Sequence, residues 1–278
     1  MERIVTKQIL FSKDRNQYNK LRSTTNEFLN QYCKDTAIKD SVFTVVENYA
    51  RQNGVKSEVL RYPFHDNNLW AIAFIKEDTV FICINTDLLL CQQLFAAAHE
   101  LYHVICYVDD SDPDTLRNGS LLKRETVDEI SGNDEELEAN AFASMLLMPE
   151  EAVREQIQLQ GIDVNQISLE SILMMMDTFA MPYKACVLRM FECGYIKEGT
   201  ALELYGIDDK EVNAAISRYG KARIWNRNGN GTESFGSLFE AFHINAENEY
   251  LTPSREEEDR GYITKLREQF NIDPEAYL

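Results

Sequence analysis

Positive charge is scarce in this chain: 28 Lys and Arg face 46 Asp and Glu over 278 residues, a formal net charge of −18. Nucleic-acid affinity rests on clustered basic side chains, so this balance argues against a primary role in gripping phosphates. An acidic surface suits a basic protein partner instead. Long apolar runs are also missing. None approaches the ~18 residues of a membrane span, and Met1-Glu2-Arg3-Ile4-Val5-Thr6-Lys7 carries no apolar secretion segment. The six cysteines (Cys33, Cys83, Cys91, Cys106, Cys186 and Cys193) are scattered with no Cys-x-x-Cys pair, so they read as reduced, mostly buried thiols. A soluble, cytoplasmic protein without membrane contact is the expectation. Internal repeats and low-complexity tracts are absent. What is plentiful is apolar content, 44%, enough for one large domain or two smaller ones.

Histidine is rare, with four in the chain, yet two fall in His99-Glu100-Leu101-Tyr102-His103. Residues four apart on a helix share a face with Cβ atoms roughly 5–6 Å apart, so both imidazoles reach one ion. Zinc accepts neutral imidazole nitrogens and needs a further ligand and an open position to be catalytic. Glu100, beside the first histidine, is placed to act as general base toward an attacking water. The pattern is that of a zinc-dependent hydrolase. The spacing predicts a helix capped by Asn85 or Thr86 and running to about Cys106, with an apolar stripe of Leu90, Leu94, Ala97, Leu101, Val104 and Ile105. Before it, Val80-Phe81-Ile82-Cys83-Ile84 reads as a strand. An exposed strand edge beside the ion would hold an extended peptide by main-chain hydrogen bonds, which makes Phe81, Ile82, Cys83 and Ile84 the expected substrate-binding segment. An ordinary core strand is the alternative.

The remaining ligand is expected on a second helix, within Asn133 to Pro149. Glu136 and Glu138 point roughly 200° apart at about 100° per residue, so only one faces the ion. Glu136 shares its face with Asn140, Ala143 and Leu147, a set that combines a ligand with an amide able to orient a zinc histidine. Glu136 is therefore chosen, its alternative being a capping-box residue after Asn133. Glu135 and Glu138 read as solvated helix charges.

These segments together resemble the ImmA/IrrE family of metallopeptidases, in which a His-Glu-x-x-His helix is followed by a helix reading Glu-x-x-Ala-Asn/Asp-x-Phe-Ala and ending Leu-Leu-Met-Pro. Here the pieces stand at His99 to His103, Glu136 to Ala143 and Leu146 to Pro149. The likeness extends through Ile82 to Asn85, Phe95 to Ala98, and Leu169 to Ile196. The resemblance implies His99, His103 and Glu136 as zinc ligands and Glu100 as general base. It also implies a cytoplasmic enzyme of a phage, mobile-element or stress-response system that cleaves a helix-turn-helix repressor or an antitoxin. Tyr102 departs from the glycine common at that place, which bears on local packing.

The fold class expected is α+β: a small sheet on helices bearing the zinc site, then a helix-turn-helix-like region and a C-terminal extension. The divisions are 1–35, a helical lead; 36–160, the metallopeptidase core; 161–198, the helix-turn-helix-like unit packed on it; and 199–278, an extension of no assigned role. A helical stretch spans Asp14 to Asn53, with Gly54 ending it. Val55 to Tyr62 and Trp70 to Ile75 are further strands. Asp110 to Asp114 resembles a calcium loop only superficially, because Thr115 stands where glycine is needed and Leu121 where the bidentate glutamate is needed. Asp109 to Gly132 is a surface loop or an acidic flap. Met174 to Ala185 reads as helix, turn and a helix opened by Pro182. That outline can read DNA, but Lys184 and Arg189 are its only basic residues beside Glu192. The methionines read as adaptable core. Asn228-Gly229-Asn230-Gly231 is a turn signal, and Glu256 to Asp259 a solvated helix start. His65 and His243 are lone histidines, more in keeping with structural roles than with oxyanion stabilisation. The leading reading is a zinc endopeptidase acting on a specific regulator, with manganese or iron also compatible with the ligands. The alternatives are a non-catalytic metal-binding interaction module and a DNA-binding regulator.

Overall fold

The computed structural model describes residues 9–33, 42–112, 114–124, 134–220, 233–270 and 272. After a single turn, α1 (Leu10–Lys13), the Asp14 carboxylate accepts from the Asn16 and Gln17 N–H groups at 3.0 Å and caps α2 (Arg15–Tyr32). Tyr18, Leu21, Thr25 and Phe28 recur every three or four residues and are the face that α2 buries. A second helix, α3 (Val42–Gln52), stops at Gly54, whose φ of +74° only glycine adopts freely, while the Val55 N–H reaches back to the Ala50 carbonyl at 2.9 Å. The expected lead is thus two helices. Residues 1–8 and 34–41 lie outside the described residues.

Five strands form one sheet in the order β4-β2-β3-β1-β5, namely β1 (Lys56–Tyr62), β2 (Leu69–Lys76), β3 (Thr79–Asn85), β4 (Ser120–Lys123) and β5 (Ser234–Phe235). Among these, β1 and β3 are parallel and all other pairings antiparallel. This order corrects the substrate-binding expectation for Phe81, Ile82, Cys83 and Ile84. Their strand is the central one, with its main chain paired to β2 on one side and β1 on the other, so no edge is free for an added strand. Alternation also divides these residues between faces. Ile82 and Ile84 are fully buried, whereas Phe81 stacks on Phe74 at 5.3 Å across the opposite face. Among the described residues, the free edge near the metal helix belongs to β4.

Two further helices separate β3 from β4, the long α4 (Leu90–Val108) and the short α5 (Asp114–Asn118). Asn85 and Thr86 do not cap α4, which begins after Leu89. The Gln92 side chain accepts from the Leu89 N–H at 3.0 Å. Asn85 instead pins the preceding loops: it donates to the Asp66 and Leu69 carbonyls and accepts from the Phe64 and Asp87 N–H groups. A bulge interrupts the β2–β4 register between Leu69 and Ala71, and Trp70 and Ala71 are consequently both buried in succession.

The remaining described helices are α6 (Asp134–Leu147), α7 (Glu150–Leu159), α8 (Leu169–Phe179), α9 (Tyr183–Glu192), α10 (Glu198–Tyr205), α11 (Asp209–Arg218), α12 (Leu238–Glu247) and α13 (Pro253–Phe270). Mixed α and β structure is therefore present in the arrangement expected. Between α8 and α9 the chain turns through Ala180 at φ 49°, and Met175, Met181 and Met190 are completely buried. Arg189 of α9 is 2% exposed and fully employed inside the protein: it donates to the Met148 carbonyl, the Tyr18 hydroxyl and the Glu192 carboxylate at 2.9, 2.7 and 3.1 Å. Lys184 lies over the Tyr205 ring. The basic residues of the Pro182 helix are thus engaged within the fold. At the far sheet edge, Phe235, Phe239 and Ile263 make a small separate cluster, tied to β1 where Glu58 accepts from the Ser237 N–H at 2.8 Å. The expectations for Asn133 and for Asn228 to Gly231 fall outside the described residues, as do Pro113 and residues 125–133 and 221–232.

Candidate metal centre

α4 and α6 cross beside the sheet through small residues. Ala96, Ala97 and Ala98 of one helix and Ala139 and Ala143 of the other are buried at 0–1% exposure, which lets the two backbones approach and brings His99, His103 and Glu136 to one place. The ligating atoms of these three residues all lie within 4.8 Å of one another. His99 Nε2 is 3.2 Å from His103 Nε2 and 3.3 Å from Glu136 Oε2, and His103 Nε2 is 3.7 Å from Glu136 Oε1. Glu138 points elsewhere, accepting from the Tyr102 hydroxyl and from Gln17 Nε2. Tyr102 thus fits where a smaller residue was expected because its hydroxyl has an acceptor and its ring packs on Phe142 at 5.6 Å.

The outer nitrogens of the two imidazoles are both held. His99 Nδ1 donates to Asn140 Oδ1 at 3.0 Å, and His103 Nδ1 donates to Glu135 Oε1 at 3.0 Å. Since each acceptor fixes the proton on Nδ1, each Nε2 presents a lone pair. Two lone pairs and a carboxylate then face one another across little more than 3 Å, an arrangement that repels itself unless a cation stands among them. Burial adds to this. Glu136 Oε2 is buried without a hydrogen-bond partner. The donor set of two imidazoles and one carboxylate fits a metal ion such as zinc, and among the described residues only these three ligands gather.

Glu135 was read from the sequence as a solvated charge and is instead the partner of His103. Burial works to raise its carboxyl, but the hydrogen bonds from His103 and from Thr115 outweigh it and hold the group down at about 2. The Thr115 hydroxyl sits 2.8 Å from Glu135 and 3.2 Å from Asp112, so the loop after α4 is tied to the site. For Glu136, burial again works upward, and the hydrogen bond and charge that His99 and His103 bring when protonated in the absence of an ion overcome it to lower the carboxyl.

Glu100 is fully buried, and neither carboxylate oxygen has a hydrogen-bond partner. Burial pushes it up to about 7, opposed by His103, reinforced by Glu136, and opposed again by the nearby Ser120 hydroxyl. Ser120 opens β4, so the edge strand begins beside Glu100. The arrangement can exchange a proton near neutral pH at a point flanked by a strand edge. His65 and His243 stand apart, the first exposed beside Asp87 and the second paired with Glu247 at 3.2 Å on α12.

Residues 53–190 match the family model of the IrrE N-terminal-like domain, Peptidase_M78. No curated protein matches the chain.

Proposed function

Because residues 53–190 belong to the IrrE N-terminal-like domain family of peptidases, we propose that the protein is a zinc-dependent endopeptidase that cleaves a specific cytoplasmic regulator, a helix-turn-helix repressor or an antitoxin. The observation that carries this reading is Glu100, a buried carboxylate with no partner, next to His99, His103 and Glu136. A structural metal site has no use for such a group.

In this reading His99, His103 and Glu136 hold the ion, and Asn140 and Glu135 fix the orientation of the two imidazoles. A bound ion would supply Lewis-acid polarisation of a scissile carbonyl and of an attacking water. Glu100 takes the proton from that water and delivers it to the leaving amine, a task suited to a carboxyl raised to about 7. The edge strand β4 receives the polypeptide in extended form by main-chain hydrogen bonds. No described helix is long and apolar enough to cross a membrane.

The test compares wild type with Glu100→Gln expressed in the native host, with bound metal quantified and captured proteins identified by mass spectrometry. Glu100→Gln is expected to retain the metal and hold a regulator intact that wild type cuts. Cleavage at the wild-type rate by Glu100→Gln would refute the mechanism.

A further inference from the structure

A cavity of about 210 Å³ opens at the other end of β4 from the catalytic residues. At the ~30 Å³ share of a liquid water this is room for roughly seven waters, the scale of a large side chain. Its apolar walls include Trp70, Leu89, Met176, Val212 and Ile216, and Arg124, the residue after β4, stands at its rim. Trp70 is 2% exposed, and its indole N–H is buried without a hydrogen-bond partner. The Trp70 ring is a wall of the cavity, and its indole N–H reports on what enters beside it. The cavity therefore offers apolar walls that a bulky apolar side chain would fill.

Its place relative to the cleft follows from the register. Ser120 neighbours Glu100, Arg124 borders the cavity, and the four residue steps from one to the other span about 13 Å of extended chain at ~3.3 Å each. α4 runs alongside: Glu100 is near its middle, and Leu89 at its start lines the cavity. A polypeptide added antiparallel to β4, the slightly more stable pairing, enters at Arg124 and runs toward Ser120. We propose that this cavity is the subsite for a bulky apolar side chain of the polypeptide substrate, three or four residues on the N-terminal side of the cleaved bond, with the Trp70 ring as one of its walls. The position on the substrate rests on the peptidase reading; the occupancy of the cavity does not.

Occupancy is read from the indole N–H resonance of Trp70 in the full Glu100→Gln chain, where Trp225→Phe removes the only other tryptophan. The probes are the N-acetyl methylamides of leucine, phenylalanine and glycine. The leucine and phenylalanine probes should shift the resonance and the glycine probe should not. Asn213→Tyr, a change at an exposed residue lining the cavity, should weaken the response about tenfold. A resonance unmoved by the apolar probes, moved equally by glycine, or unaffected by Asn213→Tyr would overturn the proposal. In peptides scanned one position at a time, metal-loaded wild type should favour Leu, Met or Phe three or four residues before the cut. Cleavage with no such preference would overturn the subsite and leave the peptidase standing. A Trp70 response with no peptide ever cut would support the cavity as a binding site and count against the peptidase.

Discussion

Removing the two groups that hold the imidazoles should weaken metal binding unequally. Glu135 is a charged acceptor for His103, and Asn140 a neutral acceptor for His99, each at 3.0 Å. Hydrogen bonds to charged groups contribute about 1.5–3 kcal/mol and neutral ones about 0.5–1.5. Glu135→Ala should therefore raise the metal Kd roughly 10- to 100-fold and Asn140→Ala about 3- to 10-fold, within the range seen when partners of metal-bound histidines are removed. Glu135→Gln keeps an acceptor without the charge and should fall between them. Glu135 also accepts from Thr115, so Thr115→Val serves as a control for the loop contact and should cost less than Glu135→Ala. The assay is competition with a chromophoric zinc chelator at neutral pH, on variants whose circular dichroism matches wild type. Equal affinities for wild type and Glu135→Ala, or a larger loss for Asn140→Ala than for Glu135→Ala, would refute the assignment of Nε2 as the ligating atom of both histidines.

Stability gives three further expectations. In the chelated protein the Glu100 carboxyl sits at about 7 instead of 4.5; a folded value raised above the unfolded one contributes stability that is fully present below 4.5 and lost as pH rises through 7. Unfolding free energy should thus fall by about 3 kcal/mol across that window, and urea titrations of Glu100→Gln should show the slope removed; parallel profiles for the two proteins would contradict it. Phe142→Ala empties a site 1% exposed, packed on Phe28 at 5.7 Å and Tyr102 at 5.6 Å, and should cost about 3–5 kcal/mol in chemical denaturation; a cost below 1 kcal/mol would mean the α2, α4 and α6 contact is not a packed core. Arg189→Met leaves Glu192 buried beside Tyr18 without its cation and should cost about 3–5 kcal/mol, most of it recovered in the double variant with Glu192→Leu; a double variant no better than the single would show that the network carries more than charge pairing.

The parts of the site that were legible in the sequence are those fixed by local geometry. His99 and His103 are one turn apart on a single helix, and the choice of Glu136 over Glu138 needs only the angle between two positions on α6. Glu135 escaped the same reasoning because helix angle describes where a side chain starts, not how far it reaches. Two imidazoles one turn apart present their Nδ1 atoms in different directions, and a glutamate beside the ligand is long enough to meet the second one. A motif search that asked for an acceptor for each Nδ1 would have found it. The edge strand was missed for a different reason. Ser120–Lys123 is only four residues long and comes after the metal helix, yet it adds to β2 and becomes the outer strand, while β2 and β1 occupy the two edges of β3. Strand order is a long-range property, and the apolar run at Val80 to Ile84 records burial on both faces without recording what lies on either side.

The metal-free site is costly as a fold element. It holds three carboxylates, Glu100, Glu135 and Glu136, around two imidazoles whose lone pairs point at each other, and Glu100 and Glu136 keep buried oxygens without partners. Burial on this scale would select against such a cluster if packing alone were at issue, since apolar residues of similar volume would cost less. Instead, the surrounding helices are built to hold it, with alanines that let α4 and α6 close and with Asn140 and Glu135 spent on orientation. An ion bound to the folded state alone adds RT ln(1 + [metal]/Kd), about 2.7 kcal/mol at a hundredfold excess over Kd. That gain works against the penalty, and the metal should raise the thermal midpoint of wild type more than that of Glu135→Ala at the same concentration. Equal increases in the two would mean that the cluster is stabilised by something other than the ion.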